Sequence, residues 1–163
     1  MRLKNYWTLI FPILFITGFY YVSKWIDKSV KLLEIPFNLG FVSYIFIFVG
    51  LILVIWVFYL FDKIGKGTPV PKQVMPKKIT KKLVVVGPFK YTRNPMAIGF
   101  FLILLGMAFY FKSYSILFLT AIMAILAHLF IVHVEEKDME QRFGKIYLKY
   151  KKKVPRWTPK FHS

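Results

Sequence analysis

Between Phe37 and Phe61 the chain reads "FNLGFVSYIFIFVGLILVIWVFYLF", with no charged side chain anywhere in the run. At roughly 1.5 Å per helical residue, such a stretch is long enough to cross a hydrocarbon layer of about 30 Å. A soluble domain does not gather its apolar residues into blocks of this length. Composition agrees, with 57% hydrophobic and 20% aromatic residues and a mean hydropathy of +0.53, above the usage of ordinary globular domains. The expected fold class is an all-α integral membrane protein.

Four spanning segments are expected, at about residues 6–22, 39–61, 96–111 and 115–134. The third would be only about 24 Å long as a helix, so it must thin the bilayer locally or borrow flanking residues. "YFKSYS" joins the third and fourth as a tight helical hairpin. The first is long, bulky and aromatic and lacks a small-x-small cleavage site, so it reads as a span rather than a cleaved leader. Residues 1–62 would then be an N-terminal two-span hairpin. Residues 63–163 would supply a loop, two spans and a tail, all within one domain. The chain has no cysteine, which excludes disulfides, a thiol nucleophile and cysteine-ligated metal. No metal-ligand cluster is seen in the spacing of other residues.

Charge gives the orientation. Two Lys/Arg precede the first span, nine lie between Lys63 and Arg93, and nine more run from Lys137 onward, all on one side; only Lys24, Lys28, Lys31 and Lys112 lie on the other. The positive-inside rule puts both termini and the long loop in the cytoplasm. The net charge of +17 is thus mostly a matter of topology, and anionic lipid headgroups rather than nucleic acid are the expected partner of the lysines. The loop, residues 62–95, is punctuated by Gly and Pro and is not expected to be helical, although "KLVVV" reads either as a short strand or as a segment lying under the helices. In the tail, Phe143, Ile146, Tyr147, Tyr150 and Val154 recur at helical spacing with lysines between them, which predicts an amphipathic surface helix ended by Pro155.

Two places carry groups capable of chemistry. In "TRNPMAIG", Pro95 suits the first turn of a helix and Asn94 is a favoured cap, so the third span begins there with a positive N-terminal end. Arg93 adds a fixed charge, and the ensemble reads either as a cradle for a carboxylate or phosphate or as an arginine reaching for headgroups. In "AHLFIVHVEEKD", His128 and Glu135 are seven residues apart and share a helix face; Glu136 follows and His133 points elsewhere. His128 reads either as a ligand-binding group or as half of a helix–helix hydrogen bond, and the Glu pair either as a site or as a solvated helix end. Acids at the C-terminal end of a span are disfavoured by its dipole unless the helix runs on. A cytoplasm-facing pocket for a zwitterionic ligand would use all of these groups.

The ordered set "GKGTPVP", "LVVVGPFKYTRNPMAIG", "HLFIVHVEE" and "RFGKIYLKYKKKVPRWTP" resembles the isoprenylcysteine carboxyl methyltransferase and phospholipid N-methyltransferase group of integral membrane methyltransferases, over residues 65–159. The resemblance implies S-adenosyl-L-methionine as cofactor, in a cytoplasmic pocket built by the C-terminal spans and tail, and a lipophilic or small acceptor arriving from the bilayer. It implies that Arg93 and Asn94 lie beside the cofactor or acceptor and that Pro95, Met96 and Gly99 shape the wall. His128 would hold the methionyl carboxylate, and Glu135 and Glu136 would face the amino or ribose groups, Glu135 also serving as a base for an amine acceptor. Tyr147, Tyr150 and Arg156 would close over the pocket. Asn94 and Ala97 stand where the prenylcysteine enzymes commonly have His and Tyr, so the prenylcysteine substrate is not carried over. An NADPH-dependent sterol-reductase-like enzyme and a non-catalytic, lipid-docking membrane subunit are the alternative readings.

Overall fold

The computed structural model describes residues 6–30, 35, 39–67 and 80–158; part of the "GKGTPVP" element and the last residue of the "VPRWTP" element lie outside these. Five helices follow one another: α1 (Tyr6–Val30), α2 (Gly40–Leu60), α3 (Pro95–Tyr110), α4 (Tyr114–Phe130) and α5 (Glu136–Lys153). No strand occurs among the described residues. Among the described residues two helices are long and apolar enough to cross a membrane: α2 with the turn that extends it to Gly65, and α4 running on into α5; α3 is a shorter apolar helix.

The bundle is organised by the contact between α2 and α3. A Cβ placed on Gly50 would lie 2.5 Å from the Gly99 carbonyl oxygen, and one on Gly99 would lie 2.9 Å from the Gly50 carbonyl oxygen. Only the absence of side chains at both positions lets the two backbones meet this closely, the small-residue packing that helices use when surrounding lipid removes the hydrophobic drive to associate. Around it Val54, Ile103, Leu104, Met107, Ala108 and Ile116 form one buried cluster. A second cluster, Val57, Leu60, Phe61, Val84 and Phe89, sits where α2 ends.

Several boundaries differ from expectation. Helix α1 continues eight residues past Val22, because its last turns are tied to the α3–α4 hairpin: Ser113 Oγ donates to Asp27 Oδ2 at 2.6 Å and the Lys24 amine lies over the Phe111 ring. The same Ser113 hydroxyl caps α4 by accepting from the Ile116 N–H. Residues 61–65 are helical rather than loop, forming a wide π-type turn that ends at Lys66 in the left-handed conformation. "KLVVV" is not a strand; Val84 is buried beneath the end of α2, next to a short 3-10 turn at Gly87–Lys90.

The tail helix also departs from the simple amphipathic pattern. Gly144 breaks α5 with φ 50°, ψ −128°, a conformation open to glycine and few other residues. In the second half Tyr147 and Val154 are buried, but Ile146, expected on the same face, lies at the edge of that arc and is 68% exposed. The helix ends at Lys153, with Val154 extended just before Pro155.

Candidate functional site

The site lies where the end of α2, the start of α3, the end of α4 and both halves of α5 come together. Pro95 occupies the first turn of α3, but Asn94 does not cap it with its side chain. The Asn94 carboxamide instead donates to the Arg156 carbonyl at 3.1 Å, and the Thr92 hydroxyl donates to the same oxygen at 2.9 Å. The Arg93 N–H donates to the Pro155 carbonyl, and the Tyr150 hydroxyl to the Phe89 carbonyl. These four bonds zip the loop before α3 onto the end of α5 and the chain after it, so two segments some sixty residues apart form one wall.

Between α4 and α5 the chain makes a second π-type turn, Ile131–Glu135, and the helix runs on through it. Continuity removes the dipole penalty expected for acids at the end of α4. The wider turn also takes in an extra residue, so the seven-residue spacing that would stack His128 over Glu135 no longer does so. Glu136 is 4% exposed and collects three cations. Arg93 Nη1 and Arg156 Nε approach Oε1 at 2.8 and 2.6 Å, and the Lys151 amine approaches Oε2 at 2.9 Å. Burial works against its charge, but Arg156, Lys151 and Arg93 together outweigh burial and hold the carboxyl down at about 2. Glu136 therefore clamps the start of α3, the second half of α5 and the chain beyond it to one point.

Beside this clamp is a cavity of about 280 Å³, near the lower end of the range for ligand pockets, with mostly apolar walls that include Phe89, Met96, Phe100, Phe130, Ile131 and Phe143. Two of the charged residues that line it are not fully compensated. Arg93 spends Nη1 on Glu136, while its Nε is buried and has no hydrogen-bond partner. Glu135 takes part in no ion pair among the described residues. Burial, reinforced by Asp138 and Glu136, pushes its carboxyl up to about 7. A carboxyl poised at neutral pH on the wall of a cavity that Arg93 also lines can accept from a donor or cation of a ligand and can hold a proton.

Of the residues singled out in the sequence, Arg93, Asn94, Pro95, Met96, Glu135, Glu136, Tyr147 and Tyr150 all line this cavity. Three do not. Gly99 lies against the Gly50 backbone. His128 accepts a hydrogen bond from the Trp157 indole at 2.9 Å, a residue of the chain after α5 rather than of a neighbouring helix. Arg156 is spent on Glu136. Sequence reasoning missed Asp138, 2% exposed on the cavity wall and ion-paired to Arg142 at 2.7 Å. Its spacing of three from Glu135, which places two acids on one helical face, was the available signal. Lys151 and Trp157, which fasten the tail, carried no signal beyond membership of a basic, aromatic segment. No group of three or more His, Cys, Asp or Glu that could hold a metal occurs among the described residues.

The family model for phospholipid methyltransferases matches residues 39–146 of the chain, from the start of α2 into the second half of α5. The match does not favour the reductase reading. No curated protein and no solved structure matches the chain.

Proposed function

Since this chain belongs to the phospholipid methyltransferase family, we propose that it is a membrane-embedded S-adenosylmethionine-dependent methyltransferase whose cofactor lies in the cavity beside Glu135 and Arg93. The observation that carries the reading is a mostly apolar cavity that lies largely within the matched region and is lined by Arg93 and by Glu135, a carboxyl with no ion pair among the described residues. The residues suit the cofactor in kind. Arg93 on the wall suits a carboxylate or phosphate, Glu135 amino or ribose groups, and the aromatic and aliphatic walls the adenine and the chain of a lipophilic acceptor.

S-adenosylmethionine, when bound, supplies a methyl group already activated on a sulfonium. The protein's part is to align donor and acceptor, exclude water and manage one proton. Phe100, Phe130 and Ile131 keep the site dry. Where the acceptor is an ammonium, Glu135 takes its proton; where it is a carboxylate, no base is needed. Glu136 does not touch the reacting groups in this reading but holds Arg93 in place. In the membrane, α1 to α4 are the four spans, with residues 1–62 a supporting hairpin and residues 63–163 the catalytic part. Both termini face the cytoplasm, as the distribution of Lys and Arg requires.

The test is calorimetric binding of S-adenosylmethionine, S-adenosylhomocysteine and NADPH to detergent-purified protein and to Glu135→Ala. Glu136 is left intact because it carries the clamp. The adenosyl ligands should bind the parent and bind the variant at least tenfold more weakly. Binding of NADPH alone, or of none of the three by protein with an intact thermal transition, refutes the proposal.

A further inference from the structure

The second half of α5 has two faces of different destiny. Inward, Tyr147 is buried, Tyr150 donates to the Phe89 carbonyl and Lys151 pairs with Glu136. Outward, Lys145, Lys149 and Lys152 recur at i, i+4 and i+7 and are all exposed, so they form one stripe along the helix. Ile146 and Leu148, 68% and 45% exposed, flank this stripe, one on each edge. None of the three lysines forms an ion pair among the described residues.

The inward bonds also fix the height of this segment. Phe89 packs edge-on to Phe61 at the end of α2, and the chain just beyond the helix is bonded to Arg93 at the start of α3. The cationic stripe is therefore held level with the ends of the apolar helices, where headgroups lie, instead of projecting into solvent. A helix that presents lysines interleaved with exposed aliphatic side chains at that height matches an anionic membrane surface in charge and polarity.

We propose that the outward face of the second half of α5 docks on anionic phospholipid headgroups of the membrane that holds the protein, with Ile146 and Leu148 inserted at the headgroup–acyl boundary. Gly144 allows the docking, because its backbone conformation turns this segment away from the line of α4, and open space surrounds the position of a Cβ there. The docking does not depend on what the cavity binds.

The chain has no cysteine, so Leu148→Cys can carry a single spin label on the full-length protein. The label's depth is read from relaxation by oxygen, which partitions into lipid, and by a water-soluble nickel chelate. The protein is placed in nanodiscs of phosphatidylcholine alone or with one-third phosphatidylglycerol. In the anionic discs at about 0.1 M salt the label should be oxygen-accessible and shielded from nickel. This shielding should fall severalfold in neutral discs, at about 1 M salt, and when Lys145, Lys149 and Lys152 are all changed to Gln, and should be retained when they are changed to Arg. Equal shielding in neutral and anionic discs, or a label open to nickel in both, overturns the proposal. Retention of full shielding by the Gln variant overturns it too. Because the readout involves no methyl donor, it stands or falls separately from the proposed activity.

Discussion

Glu135→Gln gives the sharpest test of the cavity's electrostatics, because the substitution keeps the shape of the side chain and removes only its ability to ionise. Burial, with Asp138 and Glu136 nearby, raises the carboxyl from 4.5 to about 7. The folded chain thus holds this proton more tightly than the unfolded chain does. The sign follows: the stability contributed by the protonated form is fully present below about pH 4.5 and is lost as pH rises through about 7. The shift corresponds to about 3 kcal/mol. The glutamine variant escapes that loss, so it should match the parent at pH 4 and exceed it at pH 8 by an amount of that order. For a chain of this size that is roughly 6–12 °C in Tm. The assay is thermal unfolding in detergent by intrinsic fluorescence, read as the difference in Tm between variant and parent at each pH, so that all other titrating groups cancel. A difference that stays flat from pH 4 to pH 8, or a variant less stable at pH 8, would refute the reasoning. In either case Glu135 would be solvated or paired in solution.

Gly50→Ala should destabilise the protein by about 1–3 kcal/mol in denaturant titration, since its methyl would meet backbone at 2.5 Å and the Ile103 side chain at 2.8 Å; unchanged stability would mean that α2 and α3 are further apart. Glu136→Ala strands the buried Arg93 guanidinium and should cost about 3–5 kcal/mol. Lys151→Ala removes a partner whose side chain is 34% exposed and should cost less than about 1 kcal/mol in the same titration. Equal losses for the two would show that the clamp does not run through Arg93.

The sequence showed the helices because their signals are local. Charge-free runs marked α2 and α4 to within a few residues, and the Asn94–Pro95 pair marked the start of α3. What it hid is relational. "IVHVE" reads as ordinary helix, so nothing announced the π-type turn that separates the fates of Glu135 and Glu136. One acid was free to face the cavity while its neighbour bound three cations, a division that depends on where Arg93, Lys151 and Arg156 arrive from distant parts of the chain. The same holds for Asn94, a sound cap by local preference that the Arg156 carbonyl claims instead. His128 likewise found its partner 29 residues away, at Trp157. Periodicity assigned Ile146 to the buried face because i, i+4 and i+8 neighbours define a wide arc, and it cannot tell which edge of that arc the rest of the fold covers.

The mutual contact of Gly50 and Gly99 has a mechanical consequence. Two helices riveted backbone to backbone cannot part slightly to let an acyl chain slip between them, since there is no layer of side chains to rotate out of the way. The α2–α3 seam is therefore a closed wall. Elsewhere, between α3 and α4, Phe100, Ala127 and Phe130 meet the cavity with side chains rather than backbone between the helices. The bundle then has one stiff side, and its stiffness is set by two missing side chains.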